Sequence, residues 1–199
     1  MKPAIDFYFD FSSPYGYLAA QRIDALAAKH GRTVAWRPIL LGVAFKATGM
    51  APLPQVPIKG PYSLRDFPRC ARFHGIAYRQ PGVFPIPTQA AARAFYWLRD
   101  RDEKRAVELA KALYKAYFVD DVNISDAENV VRVAAALGCN ADEVRAALND
   151  AAIKENTKAA VDAAIAEGVF GSPYIVVDGE PFWGMDRLDQ VERWLQGPF

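Results

Sequence analysis

The sequence predicts an α/β protein in which a β-α-β unit and a β-β-α unit flank a long block of helices. The first unit begins with Ile5–Phe11, where aromatic and aliphatic residues alternate with polar ones. Apolar residues between positions 88 and 168 recur at helical spacing. Near the end, the pair Asp178-Gly179 separates two β-rich runs. We therefore expect a split α/β domain, residues 1–40 and 169–199, with an all-helical insertion over residues 41–168.

The first unit has a signal for each of its elements. Ile5–Phe11 has the period of a half-buried strand. Ser13 is a typical N-cap, Pro14 suits the first helical position and Gly31 suits the end of that helix. Residues 33–36 predict a second short strand.

The middle of the chain is predicted to be mostly helical. Gly42–Pro61 is rich in glycine and proline, which indicates a loop containing at most one helical turn. A helix is expected over Leu64–His74, with Pro68 in its first turn or at a break. After an irregular stretch over 81–87, the helices include one with a capping box at residues 125–128.

The last unit combines strand and helix signals. Tyr174–Val177 and Pro181–Trp183 are β-rich, and the intervening Asp178-Gly179 predicts a two-residue hairpin turn. A final helix is expected from about Asp186 to Leu195.

Composition excludes several classes of protein. The chain has 199 residues, a formal net charge of +1 and 52% hydrophobic residues, which favours a large buried core over disorder. No basic run with interleaved aromatic residues predicts a nucleic-acid surface, and no apolar stretch is long enough to span a bilayer. The N-terminus lacks the apolar core of a signal peptide, and Cys70 and Cys139 are far apart, so we expect two buried free thiols and a cytoplasmic protein.

Several kinds of catalytic site are also disfavoured. His30 and His74 are widely separated and lack a carboxylate pattern nearby, which argues against a hydrolase triad. The spacing of histidine, cysteine and acidic residues predicts no metal site, and no glycine-rich phosphate loop is present.

Ser13 is the most informative candidate for a site residue. It lies where an apolar strand runs into a helix that begins at Pro14, and the free N–H groups of a helix start stabilise an anion. No cysteine is near in sequence, so we expect the site to hold the thiolate of a bound molecule. The simpler interpretation is a helix cap alone, with Ser12 as an alternative cap.

Two motifs resemble one protein family. The run Phe7–Leu18, FYFDFSSPYGYL, is similar to the opening of 2-hydroxychromene-2-carboxylate isomerases and of the related kappa-class glutathione transferases. Gly168–Pro173 and Trp183–Arg187 match the same proteins near the C-terminus. These proteins belong to the DsbA-like branch of the thioredoxin superfamily, so the resemblance implies a thioredoxin-like βαβ…ββα domain with a helical insertion.

The resemblance assigns glutathione-binding roles to residues in the first third of the chain. Ser13 matches the serine that hydrogen-bonds the glutathione sulfur, with Pro14 and Tyr15 beside it at the helix start. Lys59 aligns with a lysine close to the tripeptide, where its charge suits a carboxylate. The simpler interpretation is that Lys59 is an ordinary surface charge.

Further roles fall near the C-terminus. Ser172 matches the residue before a cis proline, Pro173, where the backbone pairs with the peptide part of glutathione. Met185 and Asp186 match the pair that receives the γ-glutamyl end. The chain departs from the family at Met50, where an asparagine is common, so one glutathione contact lacks its usual residue. Taken singly, these positions also fit a turn before a strand and a cap of the last helix.

The implied activity is a glutathione-dependent isomerisation of an aromatic small molecule. It would interconvert a 2-hydroxychromene-2-carboxylate-type compound and trans-o-hydroxybenzylidenepyruvate, with Tyr15, Tyr62, Phe84 and Trp183 as possible aromatic walls. A kappa-like glutathione transferase and a non-catalytic glutathione- or peptide-binding protein are the alternatives. The family resemblance also implies a homodimer.

Overall fold

A four-stranded mixed sheet forms the base of the fold in the computed structural model, which describes residues 2–199. Its strands are β1 (Ile5–Phe9), β2 (Val34–Pro38), β3 (Tyr174–Val177) and β4 (Glu180–Trp183), in the spatial order β2-β1-β3-β4. β2 pairs with β1 in parallel, whereas β3 runs antiparallel to both β1 and β4. This topology confirms the predicted β-α-β and β-β-α units.

Helices make up the rest of the regular structure. Those in the described residues are α1 (Pro14–Ala20), α2 (Ile23–Lys29), α3 (Leu41–Thr48), α4 (Lys59–Phe73), α5 (Gln89–Arg99), α6 (Glu103–Phe118), α7 (Ala127–Ala136), α8 (Ala141–Asn149), α9 (Ala151–Ala166) and α10 (Leu188–Gln196). Two 3-10 helices, Leu53–Gln55 and Met185–Arg187, precede α4 and α10. Within residues 2–199, no helix has the length and apolar character that crossing a bilayer requires.

One hydrophobic core joins the sheet to the helices. Phe9 on β1 has no exposed surface, and its ring centroid lies 5.7 Å from that of Tyr114 on α6. The same cluster of buried side chains extends from β1 through α5, α6 and α7. The helical insertion is therefore packed directly on the sheet, while its boundaries at residues 41 and 168 stay a prediction.

The expected loop over Gly42–Pro61 is wrong in its first part, because α3 forms there. The N–H of Leu41, at the start of α3, donates to Asp10 Oδ2 at 2.7 Å, and Gly49 ends the helix with a left-handed φ of 70°. A carboxylate from a distant part of the chain thus supplies the cap that the local sequence lacks.

The helix expected at Leu64 begins earlier, at Lys59, and continues past Pro68. Pro61 is tolerated because the N–H groups of a first helical turn have no intrahelical partner. Pro68 lies in the interior, where it removes one helical hydrogen bond but does not end the helix.

The predicted strand Ile5–Phe11 and the single helix from Pro14 to Gly31 both need correction. β1 ends at Phe9 because the carbonyl of Asp10 accepts the N–H of Ser13 at 2.9 Å and closes a turn. The helix divides near Arg22, whose N–H bonds to the carbonyl three residues earlier and whose φ of −120° is not helical.

Two other predictions differ in detail. The cap of α7 is Asp126, which accepts the N–H of Glu128, and not Ser125 as the capping box suggested. The final helix is preceded by the 3-10 turn over Met185–Arg187, so α10 begins at Leu188.

Candidate active site

A cavity of about 1220 Å³ opens at the carboxyl end of β1. Its wall combines the starts of α1 and α3, one side of α4 and the segments on either side of the β3-β4 hairpin. Seven of the eight site residues that the sequence suggested line this one cavity: Ser13, Pro14, Tyr15, Lys59, Ser172, Met185 and Asp186. Pro173, the eighth, is buried and follows Ser172 through a cis peptide bond.

Ser13 is held by two hydrogen bonds. Its Oγ accepts the N–H of Gly16 at 3.0 Å, which makes it the N-cap of α1, and its hydroxyl donates to the carbonyl of Ser172 at 2.9 Å. The residue is 5% exposed but borders the cavity. In this arrangement the hydroxyl proton is directed at Ser172, so donation to a bound anion requires the O–H to rotate.

The start of α1 offers less help from the helix dipole than a long helix would. α1 has only seven residues before the break near Arg22, and the dipole effect arises from aligned peptide units. In the first turn Pro14 has no N–H, and the N–H groups of Gly16 and Tyr17 already bond to Ser13, so few backbone donors are left for a ligand.

The loop carrying Ser172 packs very closely on α1. A Cβ added to Gly16 would lie 2.6 Å from Ser172 Oγ and 2.8 Å from Tyr114 Oη, so only glycine fits at this helical position. The backbone N–H of Asp10 also donates to Ser172 Oγ at 2.9 Å. The candidate site is therefore assembled from two segments that are 159 residues apart.

Asp10 is a buried carboxylate beside the cavity that the sequence interpretation missed. Its oxygens accept the N–H groups of Ser12 and Leu41, each at 2.7 Å, and the hydroxyl of Thr88 at 3.2 Å from both oxygens. Burial raises the pKa of this carboxyl to about 6, although the three hydrogen-bond donors act in the opposite direction. In the sequence, Asp10 is a charged residue near the end of a largely apolar strand, and the alternation of residues assigned it to the polar face of that strand.

A second polar cluster joins α1 to α4. The hydroxyl of Tyr15 donates to Asp66 Oδ2 at 2.6 Å, and the thiol of Cys70 approaches the same oxygen at 3.4 Å. Partial burial acts to raise the pKa of Asp66, but hydrogen bonds from Tyr15, Arg69 and Cys70 outweigh it and lower the pKa. Asp66 was also missed, because its partner Tyr15 is 51 residues away in sequence.

Cys70 lines the cavity, contrary to the expectation of an isolated buried thiol. Both cysteines are free and half-buried. Burial, together with the neighbouring Asp66 carboxylate, raises the pKa of Cys70 to about 11. Since a nucleophilic cysteine needs a lowered pKa, Cys70 is poorly suited to supply a thiolate at neutral pH.

Charged side chains on the wall include a cation and an ion pair. Lys59 lies at the start of α4 and is exposed. Asp186 pairs with Arg187 at 2.9 Å, in a position where both side chains are largely exposed. Exposed pairs of this kind contribute about 0–1 kcal/mol, so Asp186 remains available to a ligand ammonium group.

Aromatic residues form an apolar part of the wall. Trp183 is 53% exposed and meets Phe170 edge to face with centroids 4.9 Å apart. Its indole ring lies against Gly171, where a Cβ would clash with the indole nitrogen. Tyr15, Phe84 and Trp183 line the cavity, as proposed. Tyr62 instead lies exposed on α4, where its hydroxyl accepts a hydrogen bond from the guanidinium of Arg69. Met50, the position where the resemblance implied an asparagine, also lines the cavity.

Comparisons with known proteins agree with this architecture. A family model described as a DSBA-like thioredoxin domain matches residues 4–196. The 2-hydroxychromene-2-carboxylate isomerase of Sphingobium xenophagum is 29% identical over 201 residues, covering 98% of this chain and 99% of that protein. Glutathione S-transferase kappa 1 of Caenorhabditis elegans is 28% identical over 212 residues, covering 98% and 92%.

A solved structure gives the same result. A 2-hydroxychromene-2-carboxylate isomerase superposes with a TM-score of 0.87 at 28% identity, covering 97% of this chain and 94% of that one. Together with the family match over nearly the whole chain, this places the protein: it belongs to the DsbA-like thioredoxin-domain family, with 2-hydroxychromene-2-carboxylate isomerases and kappa-class glutathione transferases among its relatives.

Proposed function

We propose that this protein is a glutathione-dependent isomerase that interconverts a 2-hydroxychromene-2-carboxylate-type compound and trans-o-hydroxybenzylidenepyruvate. The observation that carries the proposal is the hydrogen bond between Ser13 and Ser172 on the wall of a large cavity. The cysteine on the same wall, Cys70, has a raised pKa and is protonated at neutral pH. Such a site is suited to stabilise the thiolate of a bound molecule.

The cavity fits glutathione in size and in charge. Ligand sites usually measure about 300–1,000 Å³, so about 1220 Å³ leaves room for a tripeptide and an aromatic co-substrate. Lys59 would bind a carboxylate and Asp186 the ammonium group of the γ-glutamyl end. The backbone at Ser172 would pair with the peptide in the manner of an added strand.

Ser13 would stabilise the sulfur anion by rotating its hydroxyl away from the Ser172 carbonyl. The exchange replaces a neutral hydrogen bond of about 0.5–1.5 kcal/mol by a charged one of about 1.5–3 kcal/mol. Bound glutathione supplies a thiolate that adds reversibly to a conjugated carbon, so that the former double bond is free to rotate. Trp183, Phe170 and Phe84 would hold the aromatic part of the substrate.

Incubation with glutathione and the chromene carboxylate tests the proposal. We expect trans-o-hydroxybenzylidenepyruvate as the product, identified by its ultraviolet spectrum after chromatography, with mass spectrometry showing that glutathione is recovered unchanged. Failure to bind glutathione in calorimetry would refute the proposal, and binding without turnover would indicate the non-catalytic alternative.

A kappa-like glutathione transferase is the second candidate. The similarity to the kappa 1 enzyme of Caenorhabditis elegans extends over 98% of this chain, and the apolar wall also suits a hydrophobic electrophile. The same incubation separates the two activities, because a transferase releases a product in which the sulfur stays attached.

We also propose that the enzyme is a homodimer in the reducing cytoplasm. Ile58 and Phe73, at the two ends of α4, are 91% and 83% exposed, which is unusual for large apolar side chains. Sedimentation equilibrium tests the dimer, and a single species at the mass of one chain would refute it.

A further inference from the structure

We propose that Asp10 accepts the proton that the glutathione thiol gives up on binding, so that the thiolate forms beside Ser13 without a net change of charge in the cavity. The inference rests on the proposed function. It concerns a buried carboxylate that stabilisation of the sulfur by Ser13 does not explain.

Asp10 is joined to the sulfur site by a closed ring of hydrogen bonds. Its carbonyl accepts the N–H of Ser13 at 2.9 Å, and its own N–H donates to Ser172 Oγ at 2.9 Å. The hydroxyl of Ser13 completes the ring by donating to the carbonyl of Ser172. The backbone of Asp10 is therefore bonded to both Ser13 and Ser172, and Asp10 and Ser13 line the same cavity.

The charge on Asp10 opposes a second anion nearby. The residue is 3% exposed, and it takes part in no ion pair among residues 2–199. Besides its three hydrogen-bond donors, the titratable groups facing it are the phenols Tyr114 and Tyr117, which are neutral at physiological pH. Two anions in a poorly solvated site favour protonation of one of them.

The hydrogen bonds around Asp10 accommodate both of its protonation states. The backbone N–H groups of Ser12 and Leu41 donate in either state. The Thr88 hydroxyl, 3.2 Å from both oxygens, donates to the carboxylate but is equally able to accept from the acid. Protonation of Asp10 therefore leaves each carboxyl oxygen with a hydrogen-bond partner.

The step balances in protons and charge. The S–H bond of glutathione breaks, an O–H bond forms on Asp10, and the electron pair of the S–H bond stays on sulfur. The free carboxyl already has a pKa of about 6 because of burial, and a neighbouring thiolate raises it further. Proton transfer within the cavity then competes with release to solvent.

Calorimetry in buffers of different ionisation enthalpy tests this inference by counting released protons. At pH 7.5 a thiol with an ordinary pKa of about 8.5 is roughly 90% protonated. Forming the thiolate in the complex therefore releases about 0.9 proton to the buffer, unless a group of the protein accepts it. S-methylglutathione, which has no thiol proton, corrects for the rest of the tripeptide. We expect a corrected release near zero for the wild type, together with the ultraviolet absorption of a thiolate and a new carboxylic-acid band in the infrared difference spectrum.

The outcomes separate this inference from the proposed function. A thiolate signal with about 0.9 proton released would overturn the role of Asp10 and leave the Ser13 site standing. Binding without a thiolate signal would overturn both.

Two variants sharpen the measurement. Asp10→Asn should raise the corrected release to about 0.9 proton, whereas Asp142→Asn, which changes an exposed carboxylate on α8, should behave as the wild type. A folded Asp10→Asn protein that still releases none would refute the inference. If Asp10→Asn fails to fold, the wild-type count decides.

Discussion

Removal of the Ser13 hydroxyl should raise the pKa of bound glutathione without removing the binding site. In Ser13→Ala the cavity keeps its shape, but the hydrogen bonds to Gly16 and Ser172 are lost. A sulfur anion at this place would then lack its hydroxyl donor. The variant separates the cap of α1, which is a structural role, from the proposed stabilisation of the thiolate.

The magnitude follows from the two states of the hydroxyl. A charged hydrogen bond of about 1.5–3 kcal/mol replaces the neutral one of about 0.5–1.5 kcal/mol to Ser172, so the net gain is about 1.25 kcal/mol. That energy corresponds to about one pKa unit. We therefore expect the thiol pKa in the complex to rise by about one unit and turnover at neutral pH to fall about tenfold. Loss of the N-cap should also lower the free energy of unfolding by about 1 kcal/mol.

The assay is a pH titration of the thiolate's ultraviolet absorption with glutathione bound, followed by urea unfolding of the free protein. Asn140→Ala is a matched control, because Asn140 caps α8 away from the cavity by accepting the N–H groups of Asp142 and Glu143. It should lower stability by a similar amount and leave the thiol pKa unchanged. An unchanged thiol pKa in a folded Ser13→Ala protein would refute the reasoning.

Three further changes test other parts of the site. Gly16→Ala should weaken glutathione binding about tenfold in calorimetry and lower the free energy of unfolding by about 1–3 kcal/mol, because the new methyl group would displace Ser172. Near-normal binding would contradict the close packing of Ser172 on α1. Lys59→Met should weaken binding about fivefold at low salt by removing a carboxylate partner, whereas Lys46→Met should not. The stability difference between wild type and Asp10→Asn should change by about 2.4 kcal/mol between pH 4 and pH 7 in urea titrations. The wild type should lose stability as pH rises, since the pKa of its carboxyl is raised in the folded state, and a flat difference would contradict this.

Local signals in the sequence were sufficient for the order of strands and for the cap at Ser13. The alternation over residues 5–9, the Ser-Pro pair and the Asp178-Gly179 turn each depend on neighbouring residues, so a single sequence reveals them. The resemblance to the isomerases also suggested seven site residues that line one cavity in the structure.

Features that depend on distant contacts were missed. α3 was predicted as a loop because its cap comes from Asp10, 31 residues earlier. The bond between Tyr15 and Asp66 likewise has no local signature, and neither has the placement of Cys70 on the cavity wall. Burial and tertiary hydrogen bonding decided these cases, and neither is visible in residue spacing.

The bond between Ser13 and Ser172 has a consequence for biosynthesis. A ribosome makes Ser172 159 residues after Ser13. The nascent polypeptide therefore lacks the Ser172 side of its anion pocket while the residues in between are made. A transcript truncated before the last hairpin would yield a product without the opposing wall, however well its helices had packed.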